Sequence, residues 1–111
     1  MEARLKSGIW VKALIRRCDL AATAVAVLAR GDEDAGAILL KFNSRKEGCF
    51  VLVQARGLDG ELLWMRATGP APVAEAEADI YIERQRRRDP DLWVVEIESG
   101  SAETVITGRI A

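Results

Sequence analysis

The stretch ERQRRRDPDLWVVEIE, residues 83–98, sets four arginines within six residues, then Asp89-Pro90, then an apolar run led by Trp93. Its two halves have different structural preferences. VAEAEADIYIERQRRR, residues 73–88, is rich in Ala, Glu and Arg and is predicted to be a helix. The residue before a proline avoids the helical region, so Asp89 marks the stop. LWVVEIE, residues 92–98, is β-branched and aromatic and reads as a strand. It is a candidate edge strand, and edges pair readily with other chains.

Working outward, SGIWVKALIRRCDLA, residues 7–21, is predicted to be an amphipathic helix. Trp10, Val11, Leu14, Ile15, Cys18 and Ala21 share one arc, with Lys12, Arg16 and Asp19 opposite. Ser7 is a candidate N-cap. TAVAVLAR, AILLKFN, CFVLVQAR and ELLWMRAT follow as four short strands separated by the turn clusters GDEDAG, SRKEG and GLDG. Two-residue alternation puts Ile38, Leu40 and Phe42 on one face, and likewise pairs Val51 with Val53 and Leu62 with Trp64. GPAP interrupts before the second helix. The expected fold is α+β over residues 1–111 as one small domain. Its order is α-β-β-β-β-α-β with an optional last strand. The sheet is expected to be antiparallel, of four to six strands, with both helices on one face. Residues 99–111 are either a final hairpin strand against LWVVEIE or a frayed tail.

A net charge of −1 does not draw the whole molecule toward nucleic acid. The charge is uneven: residues 1–18 carry +4 and residues 19–111 carry −5. The arginine knot abuts an acidic stretch containing Asp89, Asp91, Glu96, Glu98 and Glu103. Cys18 and Cys49 read as packing thiols of a reduced, cytoplasmic protein, with no signal peptide or membrane span expected.

There is no histidine, which excludes Ser-His-Asp and Cys-His nucleophile systems and histidine-containing zinc sites. Neither GxxxxGK[ST] nor GxGxxG occurs. No cofactor is expected. Asp32 and Asp34 in GDEDAG are candidate hard-cation ligands, because such ions take oxygen donors. The same residues suit a solvated turn. The Arg84, Arg86, Arg87 and Arg88 knot suits the negative end of a helix dipole, and Glu83 can pair with Arg86 or Arg87. A stripe of Glu77, Arg84 and Arg88 is expected to face inward. There it forms either a packed pair or the lining of a cleft, where Arg would hold an anion in a fork. If the two helices pack side by side, Lys12, Arg16 and Arg17 join the knot in one basic face.

ALIRR, RGDEDAG and EAEADIYIERQRRRDPDLWVVEIE together resemble a family of short alphaproteobacterial proteins classified as a domain of unknown function. The resemblance runs from about residue 4 to residue 98. It implies a bacterial, cytosolic, self-standing small domain, and no activity, cofactor or site residue.

These observations favour a non-enzymatic interaction module whose partner is a protein, either a second copy or another chain. In a twofold dimer the arginine knot of one copy is expected to meet the 89–103 acids of the other. One alternative is recognition of an anion, nucleotide or RNA through the basic segments. Another is a small enzyme with Glu77 as base, Arg84 as anion clamp and Tyr81 beside them. Membrane is not expected as a partner.

Overall fold

The structure, a computed structural model, describes residues 5–102, 105–106 and 109–110. Its elements are α1 (Ser7–Leu20), β1 (Val25–Ala29), β2 (Ile38–Ser44), β3 (Gly48–Arg56), β4 (Leu62–Arg66), α2 (Glu75–Arg88), β5 (Trp93–Ile97) and β6 (Arg109–Ile110). The expected α-β-β-β-β-α-β order is observed, with the short β6 added.

The strands form one sheet in the order β1-β5-β2-β3-β4-β6. β2, β3 and β4 make the expected antiparallel meander. The sheet as a whole is mixed, which corrects the antiparallel expectation. β5 runs antiparallel to β1 but parallel to β2, and β6 runs parallel to β4. The cause is α2. A helix returning the chain across a sheet delivers the next strand parallel to the one before it. β5 then fills the slot between β1 and β2, so GDEDAG spans that slot and is no hairpin. β5 is therefore an interior strand, not the edge read from LWVVEIE. The described tail pairs with β4 at the far side of the sheet and makes no hairpin with β5.

The helices lie on opposite faces of the sheet, which corrects the one-face expectation. Val11, Leu14 and Cys18 of α1 pack with Ile38, Leu40, Phe42, Trp93, Val95 and Ile97. Ala78 and Ile82 of α2 pack with Leu39, Val51, Leu92 and Val94. β2 and β5 are apolar on both sides, and a strand of that kind needs cover on both. Each fully buried Leu, Val or Phe contributes about 1.5–3 kcal/mol from leaving water. Phe42 and Phe50 are cross-strand partners with stacked rings 4.9 Å apart.

Both ends of α1 are fixed by backbone groups. Gly8 N donates to Glu33 O at 2.9 Å, and Ser7 N donates to Asp34 O at 3.3 Å. The 31–36 loop thus satisfies the first free amides of the helix. Lys6, not Ser7, is the N-cap, and the Ser7 hydroxyl donates instead to Gly36 O at 2.5 Å. The loop is pinned in turn to β5, because Trp93 Nε1 donates to Asp32 O at 2.8 Å. A Cβ on Gly31 would run into the Asp91 carbonyl, so this close approach requires glycine. At the other end, Thr23 N donates to Cys18 O at 2.8 Å and Ala22 N to Asp19 O at 3.1 Å. Ala22 is left-handed, with φ 53°. These bonds make a Schellman turn that aims the chain directly into β1.

Candidate functional site

β1 is the last strand on its side of the sheet, and its outer edge has no partner among the described residues. Its sequence, VAVLA, holds no charge and no proline. Ala26, Val27 and Leu28 are exposed, Val27 at 38% and Leu28 at 46%. Protein edges are usually blunted by charges, proline or bulges. Of those devices β1 has only a bulge, where the register shifts between Val27 and Ala29. The bulge switches Ala29 to the α2 side, opposite Val94.

Beside the end of β1 lies a cleft of about 300 Å³ between that strand and the last turns of α2. Arg30, Arg86 and Arg87 line it, with Glu83, Asp89 and Leu92. Arg30 is engaged twice, by Glu33 at 2.7 Å and by the Trp93 ring at 5.6 Å. Arg86 lies 3.7 Å from Glu83, the expected i,i+3 pair. A second cleft of about 270 Å³ shares Asp89 and Leu92 and adds Tyr81, Gln85 and Gln54 over Leu39 and Val53.

On the same face, a polar cluster stands at the start of α2. Lys41 is buried on β2, with its ammonium 2.7 Å from Glu75, 2.8 Å from Asp79 and 3.2 Å from Glu96. Asn43 Nδ2 donates to Glu75 and to Glu96, each at 3.3 Å. Burial disfavours the Lys41 charge, but the three carboxylates more than offset this and hold its pKa above the ordinary 10.5. In return Lys41 holds the Glu75 carboxyl below its ordinary 4.5. A lysine held in its charged form is no nucleophile, so the cluster ties α2 to the sheet. Composition did not single out Lys41. Its signal was a lone charge within ILLKFNS on a strand apolar on both faces.

The residues nominated from sequence are scattered. Glu77 and Arg84 are exposed and line neither cleft, whereas Tyr81 borders the second one. The buried side of α2 is Ala78 and Ile82, so the Glu77, Arg84 and Arg88 stripe faces water and not inward. Arg86 and Arg87 line the first cleft, while Arg88 is exposed outside it. Lys12, Arg16 and Arg17 sit on α1, across the sheet from the knot, so the two basic segments do not merge. Lys12 and Arg16 are exposed, and Arg17 donates from Nε to Val105 O at 2.6 Å. Asp32 accepts from Ala35 N at 2.8 Å within its own turn, and Asp34 lies 3.7 Å from Lys6. Among the described residues, no group of three or more His, Cys, Asp or Glu is placed to hold a metal. No described helix is long and apolar enough to cross a membrane.

A small α+β domain with an open strand edge, a helix on each sheet face and an arginine-lined cleft is the class these features define. The chain belongs to the DUF1491 family, described as a protein of unknown function, whose model matches residues 5–107. A crystal structure of a DUF1491 family protein from Caulobacter crescentus is 38% identical, with TM-score 0.87, covering 97% of this chain and 100% of that one. A solution structure of a protein from A. tumefaciens is 34% identical, with TM-score 0.82 and 98% of each chain covered. Both relatives are alphaproteobacterial, as the sequence resemblance implied. No curated protein matches the chain.

Proposed function

We propose that the protein is a non-enzymatic interaction module that docks a strand of a partner protein along the free edge of β1. One observation carries this reading: the outer edge of Val25–Ala29 is unpaired among the described residues, uncharged and flanked by exposed Val27 and Leu28. Main-chain hydrogen bonds supply affinity in such strand addition, and the flanking side chains supply specificity. The two buried free cysteines lie in cores on opposite faces and suit a reducing, cytoplasmic setting.

Crosslinking in bacterial cells with wild type and Val27→Lys tests the reading. A charge on the edge is expected to remove the crosslinked partner while leaving the unfolding temperature unchanged. An identical crosslinked set in the variant would rule out the β1 edge as the docking element.

The meeting of Arg30, Arg86 and Arg87 around one cleft favours a second reading, recognition of an anion. It predicts phosphate-dependent amide shifts at Arg86 and Arg87 that weaken with added salt and vanish in Arg86→Ala/Arg87→Ala.

A further inference from the structure

We infer that the strand docking on β1 is β1 of a second copy of this chain, paired antiparallel about a twofold axis. This rests on the reading of β1 as a docking edge and names its occupant. A twofold axis sets the same surface of each copy against the other. Val25–Ala29 carries no charge, so self-pairing brings no like charges opposite each other. Ala26 and Ala29 are small and on the α2 side of the sheet, opposite Glu96 and Val94. They leave a trough between α2 and the edge, on the side where the copy's own Ala26 and Ala29 come to lie.

Charge selects the antiparallel orientation. α2 begins at the Ser44 end of β2, where Glu75 meets Lys41 and Asn43, and ends beside Leu92 at the start of β5. It therefore runs antiparallel to β5 and in the same direction as β1. One end of this face is basic, with Arg86, Arg87 and Arg88 in the last helical turn. The other end is acidic: Lys41 and Arg45 stand against Glu75, Asp79, Glu96 and Glu98. Two charges of one sign and four of the other leave −2. Antiparallel pairing of β1 with its copy sets α2 and its copy head to tail on one face, so each basic end looks across the trough at the other copy's acidic end. Parallel pairing through the same edge would turn the copy over and carry its α2 to the other face of the sheet, where this complementarity is lost. Surface charges separated by a trough are screened within about 8 Å at physiological salt, so they select orientation more than they add affinity.

Light scattering after size exclusion, from micromolar to near-millimolar chain and at low and high salt, tests this on wild type, Val27→Lys and Leu28→Lys. Wild type is expected to be dimeric at the upper concentrations, with a dissociation constant rising no more than about threefold at high salt. Each lysine variant is expected to dissociate at least about tenfold more readily with unchanged circular dichroism. Amide exchange at 25–29 is expected to slow as wild-type concentration rises. Wild type monomeric at every concentration would overturn the inference. So would a dimer that survives both lysines without protecting 25–29. A monomer that still loses a crosslinked foreign partner on Val27→Lys would overturn self-pairing while leaving the docking function in place.

Discussion

Lys41 Nζ on β2 lies 2.8 Å from Asp79 Oδ1 on α2, a hydrogen-bonded ion pair between a buried cation and a half-exposed anion. Glu75 of α2 and Glu96 of β5 share the same ammonium, so the helix start is fastened to the sheet at two points and β5 to β2 at a third. Removing the shared cation leaves three carboxylates in mutual repulsion. Removing any one anion leaves Lys41 with two partners. Lys41→Met is therefore expected to destabilise by about 1–3 kcal/mol, below the full range for buried pairs because Glu75 and Asp79 face water. Asp79→Asn is expected to cost under about 1 kcal/mol. Urea unfolding of the two variants checks the order, and equal losses would mean the cluster contributes only through packing.

The same cluster sets a pH dependence with two arms. The folded-state pKa of Glu75 is lowered, so its stabilisation is present above its ordinary value of 4.5 and is lost as pH falls below it. The folded-state pKa of Lys41 is raised, so its stabilisation is present below 10.5 and is lost as pH rises past that value. Urea midpoints are expected to fall at pH below the acid limit, to fall first on the alkaline side as the Cys18 and Cys49 thiols ionise in the unfolded chain above their ordinary 9.0, and to fall further past the Lys41 limit. In Lys41→Met the alkaline fall is expected to shrink.

Ala22 occupies the left-handed position that closes α1, where a Cβ is unfavourable by roughly 1–2 kcal/mol. Ala22→Gly removes that strain and adds chain entropy to the unfolded state. A net gain of about 0.5–1 kcal/mol is expected, read as a higher urea midpoint at constant slope. A loss would show that the Ala22 methyl makes contacts worth more than its strain.

Cys18 and Cys49 are buried on opposite sides of the sheet, and burial pushes both thiols above their ordinary pKa. A thiol of that kind is unreactive, since the thiolate is the nucleophile. Neither is expected to react with an aromatic disulfide reagent in the native state, and both are expected to react in denaturant. Fast modification of either one in buffer would show local opening of its core.

Local elements were legible because their signals are local. The α1 face, the helix stop at Asp89-Pro90 and the face shared by Ile38, Leu40 and Phe42 follow from spacing and backbone restriction. Strand neighbours were not legible in the same way. Gly-rich turns suggest hairpins, yet GDEDAG bridges the place of β5. The cue lay in composition. WVVEI is apolar at successive positions, the mark of an interior strand, whereas VAVLA is alanine-rich and suits the rim. Charge proved a poor guide to burial. The arginine knot drew notice through density and lies in water, whereas Lys41, one charge among apolar neighbours, is buried at 3% exposure.

The placement of β5 has a consequence for how the chain folds. β1 is made early in translation, but within the sheet its one partner among the described residues is β5, with Val25 opposite Ile97. Until residues 93–97 leave the ribosome, β1 has no sheet to join and the apolar side of α1 lacks Trp93, Val95 and Ile97. Pairings between distant residues slow folding, because the loop between them must close before any contact compensates. The nascent chain therefore carries β1 without its β5 partner for most of its synthesis. Chains truncated before β5 are the ones expected to aggregate.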